Sequence, residues 1–147
     1  MKNKLINHLK QIIEEKINIL NADISSLIES RNNDTKSSAG DKYETGREMT
    51  QIELNKLEAQ LVKTKLILSD LIKAESIKTN TSIDFGALVY TNKENYFLSI
   101  PFGKVEVENE EFFAISLASP IGSLLKGKKK GDIISFNGRE IKIEKII

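Results

Sequence analysis

Residues 1–75 contain no proline, and their apolar residues form two separate seams. Ile6, Leu9, Ile13, Ile17, Leu20, Ile24 and Leu27 follow one another at steps of 3, 4, 4, 3, 4 and 3. Leu54, Leu57, Leu61, Thr64, Leu68 and Leu71 follow at steps of 3, 4, 3, 4 and 3. On a helix such spacing lines a single face, close to a heptad. Leu5, Ile12 and Ile28 widen the first stripe, and Ile52, Leu66, Ile67 and Ile72 flank the second. The polar stretch from Arg31 to Ser38 breaks the pattern between them. Parallel self-association of each helix competes with folding back, but a short link favours folding back within one chain. The expectation is an antiparallel two-helix coiled coil over residues 1–77, each arm roughly 40 Å long at about 1.5 Å per residue.

After Ser76 the period changes. Residues 78–82 are polar and read as a linker, and a second domain is expected over 82–147. Gly86–Thr91 and Tyr96–Ile100 are short runs rich in β-branched and aromatic residues, with a turn at Asn92–Asn95. Lys104–Glu108 alternates, and Phe112–Ser116 is a further apolar run. Ser119 can cap a helix, Pro120 suits its first position, and Gly127 suits the left-handed residue after its last turn. Asn137-Gly138 lies between two more strand-like runs and is a strong hairpin signal. The fold class is therefore α+β: a helical hairpin followed by a small antiparallel sheet with one short helix.

Composition narrows the chemistry. The chain has no cysteine and one histidine, His8. Thiol nucleophiles, thiolate zinc sites and disulfides are excluded, and with a single histidine neither a histidine-based triad nor a multi-histidine metal site is expected. The 22 basic and 21 acidic residues nearly cancel, so no independent, sequence-blind DNA binding is expected. No apolar run approaches the roughly 20 residues of a membrane span, and nothing resembles a signal peptide, so a cytoplasmic location without membrane contact is expected.

The bend between the seams reads KSSAGDKYETGREM, residues 36–49. Asp41 and Glu44 lie three apart, so both would face one side of a helix starting near Gly40. Two carboxylates at one spot can bind a hard divalent cation through oxygen, though magnesium needs more ligands than two. Carboxylates in a first helical turn are also expected from the helix dipole, and Asp41 can serve as an N-cap.

Three stretches together resemble the bacterial Gre transcript-cleavage factors, over almost the whole chain and in the same order. Gly40-Asp41-Lys42-Tyr43-Glu44 is similar to the Gre tip. Asp84-Phe85-Gly86-Ala87 is similar to the family's opening strand. The run from Ile115 to Asp132, with Ser119-Pro120-Ile121 and its Gly-Lys and Gly-Asp turn, is similar to the family's Ser-Pro-Ile helix. The resemblance implies a coiled coil with an acidic tip near 34–46 and an FKBP-like C-terminal domain. It implies a transcription elongation factor that binds RNA polymerase and inserts its tip into the secondary channel. There Asp41 and Glu44 would help hold Mg2+, shared with the polymerase, beside the 3′ end of backtracked RNA. The polymerase would cleave that RNA, so the chain donates residues and is not a free-standing enzyme. An FKBP-like shape does not imply prolyl isomerase activity.

The family pattern continues Asn-Ala-Glu after the second carboxylate, whereas this chain has Thr45, Gly46 and Arg47. A cation thus replaces a carboxylate, and a non-cleaving channel regulator becomes the alternative reading. A coiled-coil adaptor is the third. Arg47 can contact RNA phosphate or a polymerase carboxylate, or pair with Glu44 or Glu48. Tyr43 can stack on a base or pack on the neighbouring arm. Lys126, Lys128, Lys129 and Lys130 form either a patch for an acidic surface or RNA, or a solvated turn. His8 is expected at the surface, and Phe97, Phe112 and Phe113 in the core.

Overall fold

The computed structural model describes the backbone of residues 1–34, 40–78 and 80–147, and their side chains except those of 34 and 40–43. The chain divides into two compact units. One comprises Gln11–Leu68; the other joins Met1–Lys10 to Ser69–Ile147.

The first unit is built from the parts within Gln11–Leu68 of two long helices, α1 (Lys2–Asp34) and α2 (Gly40–Glu75). Arg31 Nη1 donates to Gln51 Oε1 at 3.2 Å. Lys16 lies beside Gln60, Lys63, Thr64 and Ile67 around one surface depression. Moving back along α1 thus means moving forward along α2, so the helices run antiparallel. Ile13, Leu20 and Leu54 are buried between them, and Ile17, Ile24, Leu27, Leu57, Leu61 and Leu68 are half-buried. Thr64 occupies a seam position and is buried; its hydroxyl donates to Gln60 O at 2.7 Å, which satisfies the group inside its own helix. Among the described residues no helix is long and apolar enough to cross a membrane.

The second unit is an α+β layer. Its strands are β1 (Leu88–Thr91), β2 (Asn95–Leu98), β3 (Gly103–Val107), β4 (Glu110–Ile115), β5 (Ile133–Phe136) and β6 (Arg139–Ile146), with α3 (Pro120–Leu125) between β4 and β5. They form one six-stranded sheet in the order β3-β4-β2-β1-β6-β5. The sequence suggests an antiparallel sheet, but β2 and β4 pair in parallel. After β2 the chain crosses to the sheet edge as β3, reverses, and returns beside β2, so β4 must run in the same direction as β2. The reversal uses Glu108 and Asn109, both at positive φ (52° and 65°), and contains no glycine. Asn137 and Gly138, at φ 50° and 77°, make the expected hairpin between β5 and β6.

Both faces of the central strands are buried. Val89, Tyr96, Leu98, Ile141 and Ile143 share one core with Leu125 and Ile134. Side chains alternate between faces along a strand, so Leu88, Phe97 and Ala114, which align across β1, β2 and β4, occupy the other. In the same unit Leu5, Ile6, Leu9, Leu71 and Ala74 are almost fully buried. The ion pair Lys4–Glu108, at 2.6 Å, joins the start of α1 to the β3–β4 turn.

Ser119 caps α3 by accepting from Gly122 N at 3.1 Å, and its hydroxyl donates to Ser116 O at 2.7 Å. Gly122 is buried so tightly that a Cβ there would collide with the Ser116 carbonyl oxygen, a backbone atom that cannot swing aside. Gly122→Ala is therefore expected to destabilise this unit by about 2 kcal/mol or more, read as a lowered urea midpoint at constant slope.

Candidate functional site

The tip of the helical hairpin comes first. α2 begins at Gly40, where the sequence places the helix start, so Asp41 and Glu44 are three residues apart within its opening turns. The Asp41 and Tyr43 side chains lie outside the described residues. Glu44 is exposed, as is Arg47. They line an open depression with Glu48 and Gln51. Neither Glu44 nor Arg47 forms an ion pair among the described residues, although their spacing would permit one. Gly46 has open space around it, and its carbonyl accepts from Thr50 Oγ1 at 2.9 Å. Glu44 thus offers a solvated carboxylate, the donor type a hard cation such as Mg2+ takes, with an arginine close by in sequence that would repel it. Among the described residues no three acidic or histidine side chains gather as a metal site, so a cation would need ligands from outside this set.

The second candidate lies on the sheet. Tyr96, Phe113, Ile115, Ile121 and Phe136 line a cleft of about 270 Å³, with Glu94 and Arg139 at its rim. Tyr96 and Phe113 are adjacent cross-strand residues with ring centroids 6.1 Å apart. Ile121 enters from α3 and is the one residue of the Ser119-Pro120-Ile121 stretch that lines the cleft. Arg139 donates to Glu94 from both terminal guanidinium nitrogens, Nη1 to Oε1 at 3.0 Å and Nη2 to Oε2 at 3.3 Å. The Tyr96 hydroxyl donates to Glu94 Oε2 at 3.1 Å. The Arg139 bond holds the Glu94 carboxyl below the usual carboxylate range, despite some burial.

Burial, helped by the bond to Glu94 and its negative charge, pushes the Tyr96 phenol up from 10.0 to about 12. The folded protein therefore keeps this proton more tightly than the unfolded chain does. The resulting stability is complete below about pH 10 and is lost as pH rises toward 12. Tyr96→Phe is expected to flatten that part of the alkaline stability profile, measured as the unfolding midpoint at fixed salt across the window.

Among the other expected positions, Ser119 is half-buried by its capping role and Pro120 is exposed. Lys126, Lys129 and Lys130 are exposed, and Lys128 is half-buried. The backbone N–H of Lys129 donates to Asp132 Oδ2 at 2.8 Å and the Lys128 carbonyl accepts from Ile83 N at 2.8 Å, so this run is an anchored turn with solvated ammonium groups. His8 is exposed. Phe97 and Phe112 are fully buried, whereas Phe113 is only partly buried because it lines the cleft. Glu94, Tyr96, Phe136 and Arg139 carry no sequence signal for a shared site; Glu94 and Arg139 are 45 residues apart. Searches against protein-family models and against curated proteins found no match to the chain.

Proposed function

We propose that the chain is a Gre-like elongation factor that binds RNA polymerase, inserts its helical tip into the secondary channel and stimulates cleavage of backtracked RNA. The observation that carries this reading is an exposed Glu44 in the opening turns of α2, three residues after Asp41, on a two-helix hairpin. The α+β domain supports it through α3, whose Ile121 lines an apolar cleft of a size suited to one or two inserted side chains.

In this reading the domain docks on the polymerase exterior and the hairpin supplies reach. Glu44 and Asp41 would complete a Mg2+ site begun by polymerase carboxylates and RNA phosphate. The metal supplies an acidified water and charge neutralisation at the phosphate. The chain's own contribution would be to present the carboxylates from the opening turns of a helix whose backbone is already formed, which lowers the cost of bringing them to the reaction. Arg47, exposed close by, is placed to contact phosphate. The protein is a donor of residues and acts only with the polymerase, in the cytoplasm.

Arg47 also favours a second reading. A cation where a third carboxylate would serve metal binding suits a factor that occupies the channel and alters initiation or pausing without promoting hydrolysis. RNA cleavage in stalled elongation complexes, with magnesium and polymerase from the same source, separates the two. Cleavage above the polymerase's intrinsic rate supports the first. Binding in competition with a channel-entering factor, without added cleavage, sinks it in favour of the second. No binding at all removes both.

A further inference from the structure

The side of α2 turned away from α1 carries apolar residues that the hairpin does not bury. Ile52, Val62 and Leu66 are 68%, 60% and 62% exposed, and Ala59 is exposed as well. Ile52, Ala59 and Leu66 recur every seven residues, and Val62 falls three after Ala59 and four before Leu66. At about 100° per residue these positions cluster opposite Leu54, Leu57, Leu61 and Thr64, the residues facing α1. Single exposed apolar residues are ordinary. A second seam with heptad spacing on the same helix is different, because that spacing fits the groove of another helix. α1 has no counterpart: its exposed Ile19 and Ile28 are nine residues apart and share no stripe.

We propose that this stripe is the seam of a weak, reversible homodimer in which α2 lies parallel and in register with α2 of a second copy. The charges beside the seam select both occupant and direction. Gln51, Glu58 and Lys65 flank it on one side, and Lys56 and Lys63 on the other. In a parallel pair each flanking residue meets the one five positions later in the partner. Glu58 then faces the partner's Lys63, and Gln51 faces the partner's Lys56. Symmetry repeats both contacts, and none of them is repulsive. In the antiparallel alternative Ala59 opposes the partner's Val62, and Lys56 meets the partner's Lys63 twice, which cancels the gain from Glu58 against the partner's Lys65. The chain is thus complementary to itself in one direction.

The seam spans only two heptads, so the contact is small and the dimer weak, with a dissociation constant on the order of 0.1 mM. It needs no folding on association, since α2 is already held by α1. This inference does not rest on the polymerase reading.

Sedimentation equilibrium of the full chain, from about 10 µM to about 1 mM, tests it across the expected range. The mass should rise from one copy toward two. Val62→Glu with Leu66→Glu should hold the chain at one copy throughout, with its helical circular dichroism and melting unchanged. Lys63→Glu decides direction: like charges against Glu58 should weaken the parallel dimer about five- to tenfold, whereas an antiparallel dimer would tighten through Lys56. A wild-type chain that stays single at the highest concentration overturns the proposal and leaves the stripe to a helix of another protein. So does a dimer untouched by the double substitution, and a dimer tightened by Lys63→Glu overturns the parallel arrangement.

Discussion

Replacing Asp41 and Glu44 together by alanine is expected, if the chain is the cleavage factor proposed above, to lower stimulated cleavage in stalled complexes by at least about 100-fold, with polymerase binding retained. Outer-shell partners of metal ligands already cost 10–100-fold when removed, and a direct ligand costs no less. The two carboxylates are not expected to add independently, since they would serve one cation. Each single substitution should therefore lose most of what the pair loses. The helix should survive, because alanine is the best helix former and among the described residues Glu44 makes no ion pair whose loss would loosen α2. A gel of cleaved RNA ends, run beside a binding competition, reads both quantities. Cleavage that survives both substitutions would deny the acidic pair its role.

Phe97→Ala is expected to cost about 3–5 kcal/mol in the unit containing the sheet. Phe97 is fully buried and stands between Leu88 on β1 and Ala114 on β4. Ala114 opposite it, and Gly103 beyond on β3, leave room that only a large ring fills. Ala114 and Gly103 are too small to fill the cavity from that side. Against a total of about 5–15 kcal/mol for a typical domain, this loss takes much of the margin. Urea unfolding followed by near-ultraviolet circular dichroism should show a midpoint shifted strongly downward. The helices should retain their far-ultraviolet signal beyond that midpoint if the Gln11–Leu68 unit stands apart. A shift worth less than about 1 kcal/mol would mean that the row repacks.

The two halves differ in how plainly the sequence states them. The hairpin is legible because a helix writes its buried face as a local period, and Ile13, Leu20 and Leu54 fall where the seams place them. The short helix α3 is legible because Ser119, Pro120 and Gly127 each answer one local demand of a helix end. Strand direction has no local signature, so the parallel pairing of β2 with β4 is not legible. The Glu108–Asn109 reversal escapes notice because it holds positive φ without glycine. The cleft escapes for another reason. Tyr96, Phe113 and Phe136 look like core aromatics, and only the fold brings Arg139 to Glu94 and leaves those rings one open side. At the tip, the sequence pairs Asp41 with Glu44, and the structure describes the Glu44 side chain alone.

The sheet-bearing unit is assembled from both sides of the hairpin: Met1–Lys10 belong with Ser69–Ile147. Its central strands β1 and β6 pair residues as distant as Val89 and Ile146. During synthesis Leu5, Ile6 and Leu9 therefore emerge long before the strands of the layer they belong to. At about 5–20 residues per second they wait several seconds or more with their apolar surface uncovered. The hairpin can close during that delay from local contacts, but the sheet must await a long loop closure. The nascent chain thus passes through a stage with a finished coiled coil and an unprotected end, which is where chaperone binding or mispairing between growing chains would act.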